Sequence, residues 1–149
     1  MTIQKVREIL PKDVWTISLD LQEACYHIPI RPCYRKFLGF CLGTKMYCFK
    51  ALPFGLNIAP CVFTRLTNVV VTRLRAMCVW AVAYLDDWLI WASTPEECSH
   101  VGEVAQGLLK TMGFWVNIQK SRLLPAQQFE WLGVDWDTQS IQLSIPVIK

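Results

Sequence analysis

A chain of 149 residues has room for one domain with a real core and not for two, and 53% of it is apolar at a mean hydropathy of +0.28, high for a free-standing soluble domain. No apolar run approaches the ~18 residues of a membrane span, Lys5, Arg7, Glu8, Lys12 and Asp13 interrupt any signal-peptide pattern, and seven scattered cysteines without a C-x-x-C pair, beside two histidines, speak against both a disulfide framework and a zinc site. The net charge of +3 is unevenly spread: no acidic residue lies between Glu23 and Asp86, where Arg31, Arg35, Lys36, Lys45, Lys50, Arg65, Arg73 and Arg75 fall, which fits either a polyanion crossing part of the surface or an ordinary solvated face.

These features predict free thiols in a reducing, intracellular setting, cytoplasm or nucleus, with no secretion and no membrane. The apolar excess predicts surface that another subdomain or a partner covers, as in a fragment.

Along the chain, Trp15-Thr16-Ile17-Ser18-Leu19-Asp20 alternates apolar and polar. It reads as a half-buried strand with Trp15, Ile17 and Leu19 on one face and Thr16, Ser18 and Asp20 on the other. An irregular section punctuated by Pro29, Pro32 and Pro53 follows, with short strands expected at 37–41 and 46–49. Pro60 suits a first helical turn, and Val62, Phe63, Leu66, Val69, Val70 and Leu74 recur behind it at helical spacing. Two apolar runs, 78–85 and 88–92, flank Asp86-Asp87 and predict buried strands joined by a tight acidic turn. Thr94-Pro95-Glu96-Glu97 has the capping-box pattern. The helix it opens sets Cys98, Val101, Val104, Ala105, Leu108 and Met112 on one stripe, and Gly113 stops it. Further strands are expected at 114–118, 129–134 and 141–145.

The order is that of an α+β βαββαβ unit, a ferredoxin-like antiparallel sheet with its helices on one face and an insertion after the first strand. Right-handed crossovers make the first and second strands parallel and slot the third between them, antiparallel. Asp20 then ends its strand at the sheet edge where Asp86 and Asp87 turn. Neighbouring strands are ~4.8 Å apart, so such carboxylates can share two magnesium ions ~3.5–4 Å apart. The geometric expectation is that the Asp20 and Asp86 Cα atoms lie within ~12 Å of each other, given metal–oxygen bonds of ~2.1 Å. A plain polar hairpin turn would also contain aspartates. The tyrosine before the pair and the apolar strand on each side are what that alternative does not require.

At these residues the chain resembles the reverse transcriptases. Tyr84-Leu85-Asp86-Asp87 looks like their Y-x-D-D box, and the run from Leu19 through Asp20 to Pro29 looks like the block with the first catalytic aspartate. Leu52-Pro53-Phe54-Gly55 through Pro60 and Phe63 resembles the block that holds template and incoming nucleotide. Gly113-Phe114 through Asn117, Lys120 and Ser121 resembles the block after it, and Trp131-Leu132-Gly133 the primer-grip hairpin. Five blocks in order cover about residues 15–137, in wording nearest to DIRS-type retrotransposon enzymes, with long-terminal-repeat elements and hepadnavirus-like polymerases further off.

The resemblance implies a single polymerase palm domain over 1–149, with a partial fingers insertion at about 28–52 and a primer-grip-like hairpin at about 129–145. Thumb, RNase H and most of the fingers would belong to a parent polyprotein. It implies RNA-directed DNA polymerase chemistry: two-magnesium transfer (manganese as a substitute) of a deoxynucleotide from its triphosphate to a primer 3′-hydroxyl on an RNA or DNA template. Asp20, Asp86 and Asp87 would be catalytic and would hold the metals, with the Leu21 carbonyl completing the shell. Glu23, Ala24, Cys25, Phe54, Gly55 and Lys120 would bind nucleotide, Lys120 near the pyrophosphate. Tyr84, Trp131, Leu132 and Gly133 would contact primer or template. Local patterns offer plainer readings of several: Gly55 as a turn glycine, Lys120 as a solvated lysine, Trp131 and Leu132 as core, His27 as a structural hydrogen-bonder, and Trp80, Trp88 and Trp91 as packing.

Two departures stand out. The position five after the catalytic aspartate, aromatic in the family as a block to the ribose 2′-hydroxyl, is Cys25, with the aromatic displaced to Tyr26; and only 19 residues precede Asp20. Both favour the alternative of a non-catalytic retroelement relic or interaction module, whereas the intact carboxylates favour the enzyme. An RNA-binding domain of the RRM kind would need an aromatic RNP-like strand, and no strand supplies one.

Overall fold

The computed structural model describes residues 2–145. In chain order the elements are α1 (Ile3–Ile9), β1 (Trp15–Asp20), a 3₁₀ turn (Ala24–His27), α2 (Pro32–Arg35), β2 (Gly39–Leu42), β3 (Lys45–Cys48), α3 (Ala59–Ala76), β4 (Trp80–Tyr84), β5 (Asp87–Ala92), α4 (Pro95–Thr111), β6 (Arg122–Ala126), β7 (Gln128–Trp131), β8 (Val134–Asp137) and β9 (Gln142–Ser144).

The central sheet runs β4-β5-β1-β6. β5 pairs antiparallel with both β1 and β4, so those two are parallel with β5 between them, as the crossover rule requires. Helices α3 and α4 cover one face. There Ile17, Leu19, Trp88 and Ile90 pack with Phe63, Val70 and Leu74 of α3 and Ala105 and Leu109 of α4. The other face is covered too, by a small sheet β7-β8-β9 and by α1: Val82, Leu89 and Trp91 meet Phe129, Trp131, Trp136 and Val6. Burial on both faces explains why 88–92 is continuously apolar rather than alternating.

The 37–49 region forms the β2–β3 hairpin, a separate two-stranded sheet whose eight residues are all exposed. Phe37, Leu42 and Met46 are the most open of its apolar side chains, so part of the expected uncovered surface lies here. Among the described residues no helix is long and apolar enough to cross a membrane.

Several expectations need correction. Residues 114–118 do not form a strand; they make one isolated bridge, Leu21 to Val116, and the fourth sheet strand is β6. Asn117 diverts the chain. Its carbonyl accepts the Ser121 N–H at 2.9 Å and its Oδ1 the Lys120 N–H at 3.3 Å, a turn that competes with the ladder. The 129–134 strand is the hairpin β7–β8, folded at Leu132 (φ 53°) and Gly133 (φ 68°), both left-handed as a two-residue turn requires. The stripe on α4 is rotated: Gly102 and Leu109 are buried, and Met112 is exposed. On α3, Thr67 is buried and Val69 exposed. Of the three tryptophans read as packing, Trp88 and Trp91 are buried but Trp80 is 58% exposed.

Gly102 sets the close approach of α4 to β1. A Cβ there would lie 2.2 Å from Ile17 Cδ1. Alanine would gain about 1 kcal/mol in helix propensity but push the Ile17 δ-methyl off its place in a packed core at a cost of about 1–3 kcal/mol. We expect Gly102→Ala to destabilise by about 1 kcal/mol alone, and to become stabilising when Ile17→Val removes the opposing methyl. Urea titrations of the four proteins in that cycle check it; strict additivity would contradict the contact.

Candidate active site

Three backbones converge on one edge of the central sheet. In the β1–β5 ladder Asp20 stands directly opposite Asp87, and in the β4–β5 ladder Asp87 stands opposite Tyr84. Residues paired in this way share a face. Tyr84, Asp87 and Asp20 therefore lie side by side across β4, β5 and β1, on the face away from the helices. Asp86 sits in the two-residue turn before Asp87, and its carbonyl accepts the Leu21 N–H at 2.9 Å. Paired Cα atoms are ~4.5–5.5 Å apart and a chain step adds 3.8 Å, so Asp20 and Asp86 Cα atoms are at most about 9 Å apart, inside the expected limit.

The turn itself is strained. Leu85 has φ 53°, in a position that hairpins usually give to glycine, at a cost of about 1–2 kcal/mol. Leu85 packs against the helix-side core while the acidic pair projects past it. The sequence reading placed the turn at Asp86-Asp87; the structure places it at Leu85-Asp86, with Asp87 already in β5.

The carboxylates feel one another. Burial pushes the Asp20 carboxyl above its ordinary value, with the Asp86 charge adding to the rise and Lys120 opposing it. Burial likewise raises Asp87, reinforced by Asp86 and then Asp20, again against Lys120. Lys120 is thus within electrostatic reach of the site. A carboxyl raised in the folded state binds more protons there than in the unfolded chain, so stability falls as pH climbs from about 4 through the raised range and stays lower above it. Asp86→Asn removes one of the charges responsible. Its melting temperature is expected to match the wild type near pH 3 and to exceed it increasingly from pH 4 upward; a constant offset across pH would contradict the coupling.

Beside Asp86 lies a cavity of about 250 Å³ lined by Cys25, Phe54, Gly55, Leu56, Phe63, Leu85 and Asp86 among others. It joins the first-aspartate block, the glycine block and the acidic turn in one concavity. Cys25 is 8% exposed, and burial first, then Asp86, pushes its thiol pKa up. Tyr26 is 43% exposed and sets its ring edge-on to Phe54 at 5.6 Å. Gly55 holds φ 91°, which demands glycine, and a Cβ there would meet nothing within 4 Å. The left-handed φ fits the turn reading of Gly55. Glu23, at φ 51°, caps the 3₁₀ turn that begins with Ala24 and carries Cys25 into the cavity.

The remaining predicted residues divide. His27 is a structural partner, its Nε2 accepting the Trp115 N–H at 3.2 Å. Trp131 is buried at 4% exposure in the second core, its carbonyl accepting the Trp136 indole N–H at 3.1 Å; Leu132 is half-buried beside it. Of Trp131, Leu132 and Gly133, only Gly133 is exposed, at the tip of the β7–β8 turn. Asn117 and Ser121 belong to the block after Gly113-Phe114, where the resemblance implies no role for them. The structure ties both to Asp20, whose N–H donates to Ser121 Oγ at 3.0 Å and whose carbonyl accepts the Asn117 N–H at 2.8 Å.

Among the described residues no group of three or more His, Cys, Asp or Glu side chains is gathered so as to hold a metal ion by itself. Magnesium is ordinarily bound by one or two carboxylates plus substrate phosphates rather than by an all-protein cage. Hard oxygen donors gathered at one sheet edge, with a cavity beside Asp86, fit a divalent cation held in that way.

Comparison with known proteins gives the same direction. Residues 2–136 match the family model described as reverse transcriptase (RNA-dependent DNA polymerase). Protein P of duck hepatitis B virus (strain United States/DHBV-16) is 26% identical over 142 residues, 95% of this chain and 17% of that protein. Among solved structures, the foamy viral protease-reverse transcriptase in complex with double-stranded DNA superposes at a TM-score of 0.81 with 18% identity, over 98% of this chain and 29% of that one. The same protein with an RNA/DNA hybrid gives 0.79 at 22% identity, over 94% and 19%. The chain spans under a fifth of the length of the hepadnaviral relatives it matches.

Proposed function

The chain belongs to the reverse transcriptase (RNA-dependent DNA polymerase) family, and we propose that it is the palm of such a polymerase, transferring deoxynucleotides to a primer 3′-hydroxyl. The observation that carries this reading is the register that sets Asp20 opposite Asp87, with the Asp86 turn bonded to Leu21 beside the Cys25–Phe54–Gly55 cavity.

In this reading Asp20 and Asp86 hold two divalent ions together with the triphosphate, and Asp87 stabilises the site from the outer side. Leu21 has its N–H on Asp86 and its side chain buried, so its carbonyl is the group it can turn toward a metal. Magnesium, or manganese in its place, would when bound activate the 3′-hydroxyl and offset the charge of the departing pyrophosphate. Lys120, which opposes the charge of Asp20 and Asp87, would donate a proton to that pyrophosphate. Cys25, Phe54 and Gly55 wall the nucleotide, with Glu23 and Ala24 at the turn beside it. Tyr84 would meet the primer end, and the Leu132-Gly133 turn the primer backbone; Trp131, being buried, supports that turn from below. RNA or DNA template, primer and deoxynucleoside triphosphates are the partners, and fingers, thumb and RNase H segments of a parent polyprotein would cover the exposed β2–β3 hairpin. An origin in a retrotransposon of the DIRS type rests on the wording of residues 51–63 and 84–90.

The first test is thermal melting with magnesium chloride. A ligand at 100 times its Kd adds about 2.7 kcal/mol of stability. The wild type should gain melting temperature with magnesium at pH 7.5, and Asp20→Asn with Asp86→Asn should not. Equal response of both proteins would refute a metal site at this edge and leave the relic reading in its place.

A further inference from the structure

Asp20 is fixed by its own peptide groups as well as by its strand. The partners of those groups come from a turn about a hundred residues later, between α4 and β6: Ser121 Oγ for the N–H and the Asn117 N–H for the carbonyl. Ser121 Oγ also donates to the Asn117 carbonyl at 2.7 Å, and that carbonyl takes the Ser121 N–H at 2.9 Å as well. A serine hydroxyl has one proton to give and lone pairs to receive. With its proton on Asn117, the hydroxyl keeps a lone pair for Asp20, so a single rotor setting satisfies both ends. Asn117 Oδ1 meanwhile receives the Lys120 N–H at 3.3 Å. The turn therefore grips Asp20 and carries Lys120 as one unit.

Resting on the two-metal reading above, we propose that Ser121 and Asn117 are positioning residues: they fix the backbone of Asp20, and with it the aim of its carboxylate, and so set the affinity of the site for divalent cations. Neither touches metal or substrate. Asp20 is the last residue of β1; Leu21 beyond it is held by its N–H on the Asp86 carbonyl and by an isolated bridge to Val116. Two successive peptide groups, each gripped on one side of the Asp20 Cα, aim the short aspartate side chain. Without Ser121 Oγ the part-buried Asp20 N–H has lost its acceptor, and the plane of the peptide is free to tilt. Groups that hold a metal ligand in place are worth about 10–100-fold in metal affinity when removed.

The experiment uses the full chain and manganese(II) as the probe, with free ion read by electron paramagnetic resonance and thermal melting followed in parallel. Ser121→Ala is expected to raise the Kd for manganese by about 10–100-fold. Ser121→Thr, which keeps the hydroxyl, should stay within about threefold of wild type, and Ser121→Cys should fall between, since sulfur is a weak donor and acceptor. Asp20→Asn is the reference for loss of a ligand. A lower melting temperature with unchanged Kd in Ser121→Ala would overturn the proposal, because the serine would then only stabilise the fold. So would Ser121→Thr losing as much affinity as alanine. Should the alanine variant not fold, Ser121→Cys decides, and a wild-type Kd there overturns it. Manganese binding equal in wild type and Asp20→Asn would instead overturn the metal reading of Asp20, and the clamp with it.

Discussion

Replacing Asp86 by asparagine is expected to abolish nucleotide addition while making the fold more stable at neutral pH. The two effects have one cause. Asp86 adds negative charge beside Asp20 and Asp87, and each is already disfavoured as a carboxylate by burial. Without a bound cation the folded chain carries that repulsion as a cost, which the variant relieves. In the proposed two-metal site of a complete polymerase, the same charge would hold the cations in place. Asparagine matches the shape of aspartate and offers a neutral oxygen, so the loss falls on the charge. Removing one preorganised electrostatic group commonly costs 10²–10³ in rate, and a shared metal ligand should cost at least ~10³-fold, about 4 kcal/mol. Single-nucleotide primer extension gives the first number and urea unfolding at pH 7.5 the second. Activity within tenfold of wild type would remove Asp86 from the site, whatever the stability did.

How much of this was legible in the sequence depends on how local the signal was. The alternation of 15–20 put Asp20 on the correct face, since Ile17 and Leu19 have one obvious core to join. The capping box at Thr94 was equally local: Thr94 Oγ1 accepts the Glu97 N–H and Glu97 Oε2 the Ser93 N–H, both at 3.2 Å. Strand β6 was missed because Pro125 reads as a strand breaker. At the sheet's edge a missing N–H costs nothing, and there Pro125 sits. Arg122 hid the same strand, since a charged residue rarely lies half-buried. Here its Nη2 bonds Thr16 Oγ1 at 3.0 Å and its guanidinium lies 4.8 Å from the Phe129 ring centroid. The second layer was the larger omission. Its signal lay in the unbroken apolar run 88–92, which needs cover on both faces, and in the glycine at 133, which marks a hairpin. The clamp on Asp20 was out of reach: no spacing rule links residue 20 to residue 121.

If the proposed polymerase reading holds, Cys25 should weaken discrimination against ribonucleotides, and Cys25→Tyr should restore selectivity for deoxynucleotides. The family block puts an aromatic ring five residues after the first aspartate, and two positions here could supply a gate. The structure separates them. Cys25 lines the cavity with Asp86 and Phe54, whereas Tyr26 is turned outward, 43% exposed and edge-on to Phe54. A sugar seated against Asp86 therefore meets a thiol, and a thiol leaves room for a 2′-hydroxyl. Steric discrimination is a difference between two transition-state affinities, so restoring the clash should lower use of ribonucleotides and leave deoxynucleotides nearly unchanged. A clash worth about 3–4 kcal/mol corresponds to roughly 10²–10³ in the ratio of kcat/KM values. The tyrosine must also fit a position only 8% exposed, where overpacking costs about 1–3 kcal/mol, so melting should be followed alongside. The assay is single-nucleotide extension with each sugar in both versions of the completed enzyme. An unchanged ratio in a folded, active variant would assign the gate to Tyr26 instead. Because Tyr26 rests on Phe54, Tyr26→Ala would in that case be the substitution that moves selectivity, and Cys25 would be left as a residue of the cavity wall.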